Sequence, residues 1–414
     1  IIYIFVYINY LIYFCTSHYK QMRFNRYIFE SLYAHLDKQQ VTVLTGMRRT
    51  GKTTLVKQLM DASPIKQKLF FDLERIDNRK IFEHDNYELS IQYLEQQGVN
   101  FSERVMICLD EIQLSPNIPS VIKHLNDHYN IKFVVTGSSS YYLKNKFQES
   151  MAGRKKIFEI FPLTFGEYLH FNGVNYKSFA EPNQFKNLPL EYDRLKMYYE
   201  NYIQYGGFPQ VALSKSNAEK TDILNDIISS YINIDIMQLA DVRKISDVYN
   251  LVRLLAARIG NKIEVSKLAI SSNIARQTVD NYIDLLENSY LIKTLPVYSQ
   301  NPDKEIVKAK KLYFYDNGLA NICAELGGGA KFENAVFTQL HHYGDLAYYQ
   351  LKTGQEIDFI LNKKYAYEVK ETAYETDSRK MMNLAKKIQI NQGKVIGRYA
   401  NQEFESFIWG GMIK

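Results

Sequence analysis

Two patterns of apolar and polar positions divide the chain. From Val41 onward, short apolar runs alternate with stretches of helical spacing: Val41–Leu44, Leu69–Phe71, Val105–Leu109 and Phe133–Val135, with Lys156–Ile160 as a fifth predicted strand and Thr54–Met60 as the first helical stretch. A strand covered on both faces has no polar side to show, so runs of this kind predict an α/β fold with a parallel sheet and helices on both faces. Residues 165 to about 240 read as helical and tyrosine-rich, broken at Tyr205–Pro209. From Val248 the pattern changes. Helices are predicted at Leu251–Ala256, Val265–Ala269 and Ala275–Leu286. Strands follow at Tyr290–Lys293 and Lys311–Tyr315, which is a winged-helix outline. After a break at Gly327–Gly329 come a helix from Ala330, a strand at Ala347–Leu351, and two alternating segments, Glu356–Leu361 and Tyr365–Lys370, that predict a hairpin.

The first residues break this pattern. Ile1–Cys15 is apolar except for Asn9. As a helix it would span about 22 Å, short of the ~30 Å hydrocarbon core. No basic region precedes it, as a secretory signal requires. Residues 1–21 are therefore expected to be an over-extended start, with translation beginning at Met22; a short membrane anchor is the rival reading. Composition adds limits. The 414 residues carry 51 Lys+Arg against 45 Asp+Glu, with 46% hydrophobic residues, which excludes a disordered chain. The net charge of +6 permits a nucleic-acid partner without arguing for one. Three scattered cysteines exclude a disulfide framework and point to a reducing, cytoplasmic setting.

The first predicted strand runs into Gly46-Met47-Arg48-Arg49-Thr50-Gly51-Lys52-Thr53. This is G-x-x-x-x-G-K-T with the strand before it and the helix after it that a phosphate-binding loop requires. The glycines let backbone N–H groups turn toward phosphate oxygens, and the helix N-terminus adds partial positive charge. Lys52 would reach the β and γ phosphates of ATP, and the Thr53 hydroxyl would ligate Mg²⁺. The apolar run Val105–Leu109 ends in Asp110-Glu111, at the strand end where open α/β sheets bind ligands. Asp110 is expected to hold Mg²⁺ through water and Glu111 to polarise the attacking water. Thr136 or Ser138 would face the γ phosphate, or the serines there only make a turn.

GMRRTGKTT, VMICLDEIQ, VVTGSSS and MAGRKKIFEIFPLTFGEYL resemble a family of prokaryotic AAA+ ATPases whose ATPase module precedes a C-terminal module of unknown function. The resemblance implies an AAA+ parallel sheet and ATP binding through Gly46, Arg48, Arg49, Thr50, Gly51, Lys52, Thr53 and Thr54. It implies hydrolysis using Asp110 and Glu111, with Arg154 as candidate sensor or arginine finger. An arginine finger acting in trans would demand an oligomer. The expected organisation is an AAA+ core at 22–170, a helical lid or linker at 171–243, a winged-helix-like module at 244–316 and a C-terminal module at 317–414.

If the winged-helix-like module bound DNA, Arg276, Gln277 and Thr278 would open its recognition helix. Asp280, Asp284 and Glu287 lie on that same helix, so docking of a protein partner is an equal alternative. In the last module, Glu368 and Lys370 share one strand face and Asp358 can lie beside them. That arrangement resembles the D…E-x-K core of restriction-endonuclease-like folds. Glu333, Asp358 and Glu368 would hold Mg²⁺, and Lys370 would orient or deprotonate a water. The expected function is an ATP-binding, Mg²⁺-dependent ATPase that controls a nuclease-like region, with DNA as a possible target and no membrane partner. The alternative is an ATP-dependent switch or interaction protein with an inactive nuclease-like module.

Overall fold

In a computed structural model, residues 26–137, 151, 153–176, 181–185, 188–237, 244–299 and 309–413 are described. The N-terminal expectations about residues 1–21 and Met22, and the one placed on Ser138, lie outside them. Five strands form the first sheet: β1 (Val41–Thr45), β2 (Gln67–Asp72), β3 (Val105–Asp110), β4 (Ile131–Gly137) and β5 (Lys155–Glu159). Their order is β2-β3-β4-β1-β5, and every pairing is parallel. The uninterrupted apolar runs have the cause expected of them. Val43, Ile107, Phe133 and Val135 pack on one face with Val121, Ile122 and Leu125 of the helix Ile118–His128. Leu44, Met106, Cys108 and Val134 pack on the other with Leu55, Val56 and Leu59 of helix α1 (Lys52–Ala62). Both faces are dry, so alternation disappears from the sequence.

The chain from Leu163 onward is held by one continuous core reaching Ile413. It includes α2 (Pro189–Tyr205), α3 (Asn217–Ser230), α4 (Ile245–Ala256), α5 (Val265–Ser272) and α6 (Arg276–Asn288). A two-stranded antiparallel sheet follows, β6 (Ile292–Leu295) with β7 (Lys311–Phe314). The helix α7 (Gly328–Leu340) begins at the glycine run that the sequence suggested as a flexible break. The second large sheet is mixed. Strands β8 (Leu346–Gln350), β9 (Glu356–Leu361), β10 (Tyr365–Thr372), β11 (Gln392–Tyr399) and β12 (Ile408–Trp409) lie in the order β12-β11-β10-β9-β8. The hairpin β9–β10 is antiparallel, while β10–β11 and β11–β12 are parallel. One face of this sheet packs on Met381, Leu384 and Ala385 of α8 (Glu375–Lys387). Phe359, Tyr367 and Val395 of the other face belong to the continuous core. The sole tryptophan, Trp409, is buried against Phe165, Tyr192 and Tyr199, joining the chain's end to its middle helices. No helix among the described residues is long and apolar enough to cross a membrane.

Met47 of the first module sits in this second core. The phosphate loop is therefore packed between the parallel sheet and the second half of the chain, which decides what can reach it.

Candidate functional site

The loop between β1 and α1 turns at two glycines whose backbone excludes side chains. Gly46 has φ +147°, and a Cβ there would lie 2.1 Å from the Ile160 carbonyl oxygen. Gly51 caps α1 in the left-handed region at φ 94°. Arg49 also adopts φ 62°, unusual for a residue with a side chain. Lys52 is buried, and its ammonium donates to the carbonyls of Gly46 (2.8 Å) and Met47 (3.0 Å). Burial lowers the Lys52 pKa, with Glu111 as the strongest opposing charge. Thr50 donates to the Met47 carbonyl (2.9 Å) and is buried, while Thr54 and Arg49 point to the surface.

The acidic pair at the end of β3 meets this loop. The Thr53 hydroxyl donates to Asp110 Oδ2 at 2.7 Å, and the Thr136 hydroxyl donates to Asp110 Oδ1. The Glu111 backbone N–H donates to the Thr136 hydroxyl (3.1 Å), and Gln113 donates to the Glu111 carboxylate. Glu111 itself takes φ 57°, a conformation that concentrates at functional sites because surrounding structure must hold it there. Thr136, one of the residues expected near a phosphate, thus aligns both acids. The magnesium expectation can be tested on the donors present. A hydroxyl and a carboxylate 2.7 Å apart are hard oxygen ligands. Mg²⁺ takes one or two protein oxygens and completes its shell with phosphate and water, so the pair fits it without the larger acid or thiol cluster that is absent among the described residues.

Two supports come from far along the chain and had no sequence signal. Buried Arg26 donates to the Thr50 carbonyl (3.0 Å), the Phe161 carbonyl (2.8 Å) and Glu167 (2.9 Å). Glu167 completes a capping box with Thr164 at the start of the helix Phe165–Phe171. Arg48 donates from Nε to Asp235 Oδ1 at 2.6 Å and lies 3.6 Å from Glu74. Arg154 is not brought to the loop. It precedes β5 beside Val41, at the opposite end of the sheet, and pairs with Asp127 at 2.9 Å. The length of β1 alone separates it from the loop by about 13 Å, so this fold does not place Arg154 on the phosphate loop of its own chain.

The second candidate site is assembled differently from expectation. Asp358 accepts from the Val369 backbone N–H (2.8 Å), and Lys370 donates to Glu368 (2.7 Å), so the hairpin acids and lysine do come together. Glu333 accepts from Tyr313 at 2.7 Å. The unexpected member is Lys311 of β7, only 2% exposed. Its ammonium lies 3.1 Å from Glu356, 3.7 Å from Asp358 and 3.9 Å from Glu333. Burial and then the charge of Asp358 push the Glu333 carboxyl up to about 7 and the Glu368 carboxyl up to about 8. Lys311 sits among Glu333, Glu356 and Asp358, whereas Glu368 pairs with Lys370, and no group of three acids that could hold a metal ion is found among the described residues, so the expected set Glu333, Asp358 and Glu368 is not assembled as a metal site. His341-His342 lies in a turn after α7. Arg276 and Gln277 are exposed at the start of α6 and Thr278 is half-buried, with Gln277 bonded to Asn281.

Residues 38–169 match the profile of an AAA domain, and residues 328–409 match a domain of unknown function, DUF4143. The chain thus carries an AAA domain followed by a DUF4143 domain. Residues 196–329 match a further domain of unknown function, DUF8612. The chain is 26% identical over 366 residues to an uncharacterized protein of Haemophilus influenzae, covering 83% of this chain and 86% of the relative. To an uncharacterized protein of Methanocaldococcus jannaschii it is 27% identical over 387 residues, covering 88% and 83%. Among solved structures, the Aeropyrum pernix Orc1 protein in complex with DNA aligns over 71% of this chain and 90% of that chain, at 12% identity and a TM-score of 0.30.

Proposed function

We propose that the chain hydrolyses ATP with Mg²⁺ at the loop Gly46–Thr54 and that nucleotide state acts on the second half of the chain. The observation that carries this is the 2.7 Å contact between Thr53 and Asp110, which joins the phosphate loop to the acidic strand end. Backbone N–H groups of the loop would cradle the phosphates, with Arg48 and Arg49 flanking them. Lys52 would exchange its carbonyl partners for the β and γ phosphates, a swap favoured because a buried ammonium gains more from anionic oxygens than from neutral carbonyls. Glu111 would orient the attacking water and accept its proton, its carboxylate being held by Gln113. The metal, held by Thr53 and Asp110, would neutralise charge on the phosphates. Arg154 could act only on the site of a second subunit. The test is ATP turnover by the wild type and by Lys52→Ala; equal turnover by the two sinks the assignment.

For the C-terminal module, the position of Lys311 favours a switch or interaction role over DNA cleavage. Lys311 pairs with Asp358 and with the neighbouring acids Glu333 and Glu356, and no group of three acids that could hold a metal ion is found among the described residues, so the support for a bound cation that activates water is weak. DNA remains the partner proposed for a cleaving module, and nicking of plasmid DNA with Mg²⁺ discriminates. Cleavage by the wild type that is lost in both Asp358→Ala and Lys370→Ala would establish the nuclease; no cleavage above those variants supports the non-cleaving reading.

A further inference from the structure

The contact between Arg48 and Asp235 crosses 187 residues and enters the nucleotide site from the second half of the chain. Asp235 is buried, with 4% of its side chain exposed. It sits in a π-helical turn, Tyr231–Ile236, that continues α3. Such turns recur at functional sites because they displace one residue from the regular ladder. The turn is tied into the second core at both ends. Ile232 and Ile236 are buried there, and the Tyr231 hydroxyl hydrogen-bonds the Ser289 hydroxyl just after α6. On the other side, the charges that act on Asp235 are Arg48, Lys52 and Glu111, which are the residues assigned above to phosphate and water.

We infer that Asp235 is a positioning residue of the nucleotide site that holds Arg48 away from phosphate, and that a nucleoside triphosphate must displace this pair to bind. This rests on the nucleotide reading given above. Burial raises the Asp235 pKa despite Arg48, so its charge is held in an unfavourable place and Arg48 is its main compensation. A polyphosphate in the loop offers Arg48 several anionic oxygens and adds like charge beside Asp235. The π turn then loses the bond that anchors it to the loop. Because Tyr231 joins that turn to Ser289, displacement is passed to the region of α4–α6. By linkage, whatever fixes that region in its present position also weakens nucleotide binding.

The experiment measures binding of a fluorescent ATP analogue with Mg²⁺ to the full chain, wild type and Asp235→Asn. Asparagine keeps the shape and removes the charge that retains Arg48. Affinity is expected to rise about five- to tenfold, within the usual range of site-to-site coupling; a role in folding alone would not raise it. Unchanged or weaker binding by a folded Asp235→Asn, with normal binding by the wild type, overturns the latch and leaves the nucleotide reading standing. Absence of binding by both proteins overturns both. As a second readout free of mutation, backbone hydrogen exchange at residues 231–237 of the wild type should speed up when ATP and Mg²⁺ are added. Exchange there that is unchanged or slower also overturns the latch.

Discussion

Replacing Lys311 by Met keeps the long apolar stem and removes only the ammonium. Three carboxylates, at 3.1, 3.7 and 3.9 Å, then face each other without a cation. One contact near 4 Å is worth about 4 kcal/mol at an effective dielectric near ~20, so the gross attraction is on the order of 10 kcal/mol. Desolvation of the ammonium and mutual repulsion of the acids offset most of it, and removing one partner of a buried pair typically costs about 3–5 kcal/mol. The residue's own titration supports a net gain: burial alone would lower the Lys311 pKa, yet the charges of Asp358, Glu333 and Glu356 raise it. Glu333, pushed up to about 7, can take a proton when the ammonium is gone. The loss should therefore sit near ~3 kcal/mol in mildly acidic solution and grow toward ~5 kcal/mol above neutrality. Urea unfolding followed by fluorescence of Trp409 reports on the right core, since that is the only tryptophan and it is buried in the core that contains Tyr313 and Phe359. A Lys311→Met protein within about 1 kcal/mol of the wild type in mildly alkaline urea, with an unchanged slope, would refute the claim that the ammonium holds the acids together.

Four further outcomes are expected. In the wild type, Glu333 and Glu368 have folded pKa values above the ordinary 4.5, so each contributes stability that is complete below that value and lost as pH rises to about 7 and about 8; with Lys311, Lys370, Tyr313, Asp358 and Glu356 facing them, the Trp409 urea midpoint should fall over this window and Glu368→Gln should flatten the fall. Gly46→Ala should eliminate ATP binding measured by calorimetry, because its Cβ meets the Ile160 carbonyl at 2.1 Å and the loop must shift; retained affinity would contradict the proposed cradle. Arg26→Met should lower stability by about 3 kcal/mol through the uncompensated Glu167, and a double-mutant cycle with Glu167→Gln should recover much of that loss. Disrupting the surface pair with Arg154→Ala should change stability by less than about 1 kcal/mol, and ATPase assays at rising protein concentration should reveal any role across subunits.

The phosphate loop and its acidic partner were legible in the residues themselves. Gly46 to Thr53 is one contiguous strand–loop–helix, and its backbone path follows from two glycines and a helix N-terminus a few positions apart. The five-stranded sheet was equally legible, because burial on both faces leaves an uninterrupted apolar run in each central strand. The hairpin β9–β10 could be placed by alternation alone, with Glu368 and Lys370 on one face. What these patterns cannot carry is the environment of a charge. Arg26 reads as an ordinary soluble residue, yet the fold buries it against Glu167, 141 positions away, behind the loop. Arg48 is one of the loop's variable positions until the turn at Asp235 closes on it from 187 positions away. Lys311 looks like the edge of a strand until that strand is laid beside Glu333, Glu356 and Asp358, where its ammonium is the cation among them. Local order is determined by neighbours along the chain; whether an acid cluster holds a cation, a proton or a lysine is decided by which side chains the tertiary structure buries together, because only burial makes the choice energetically large.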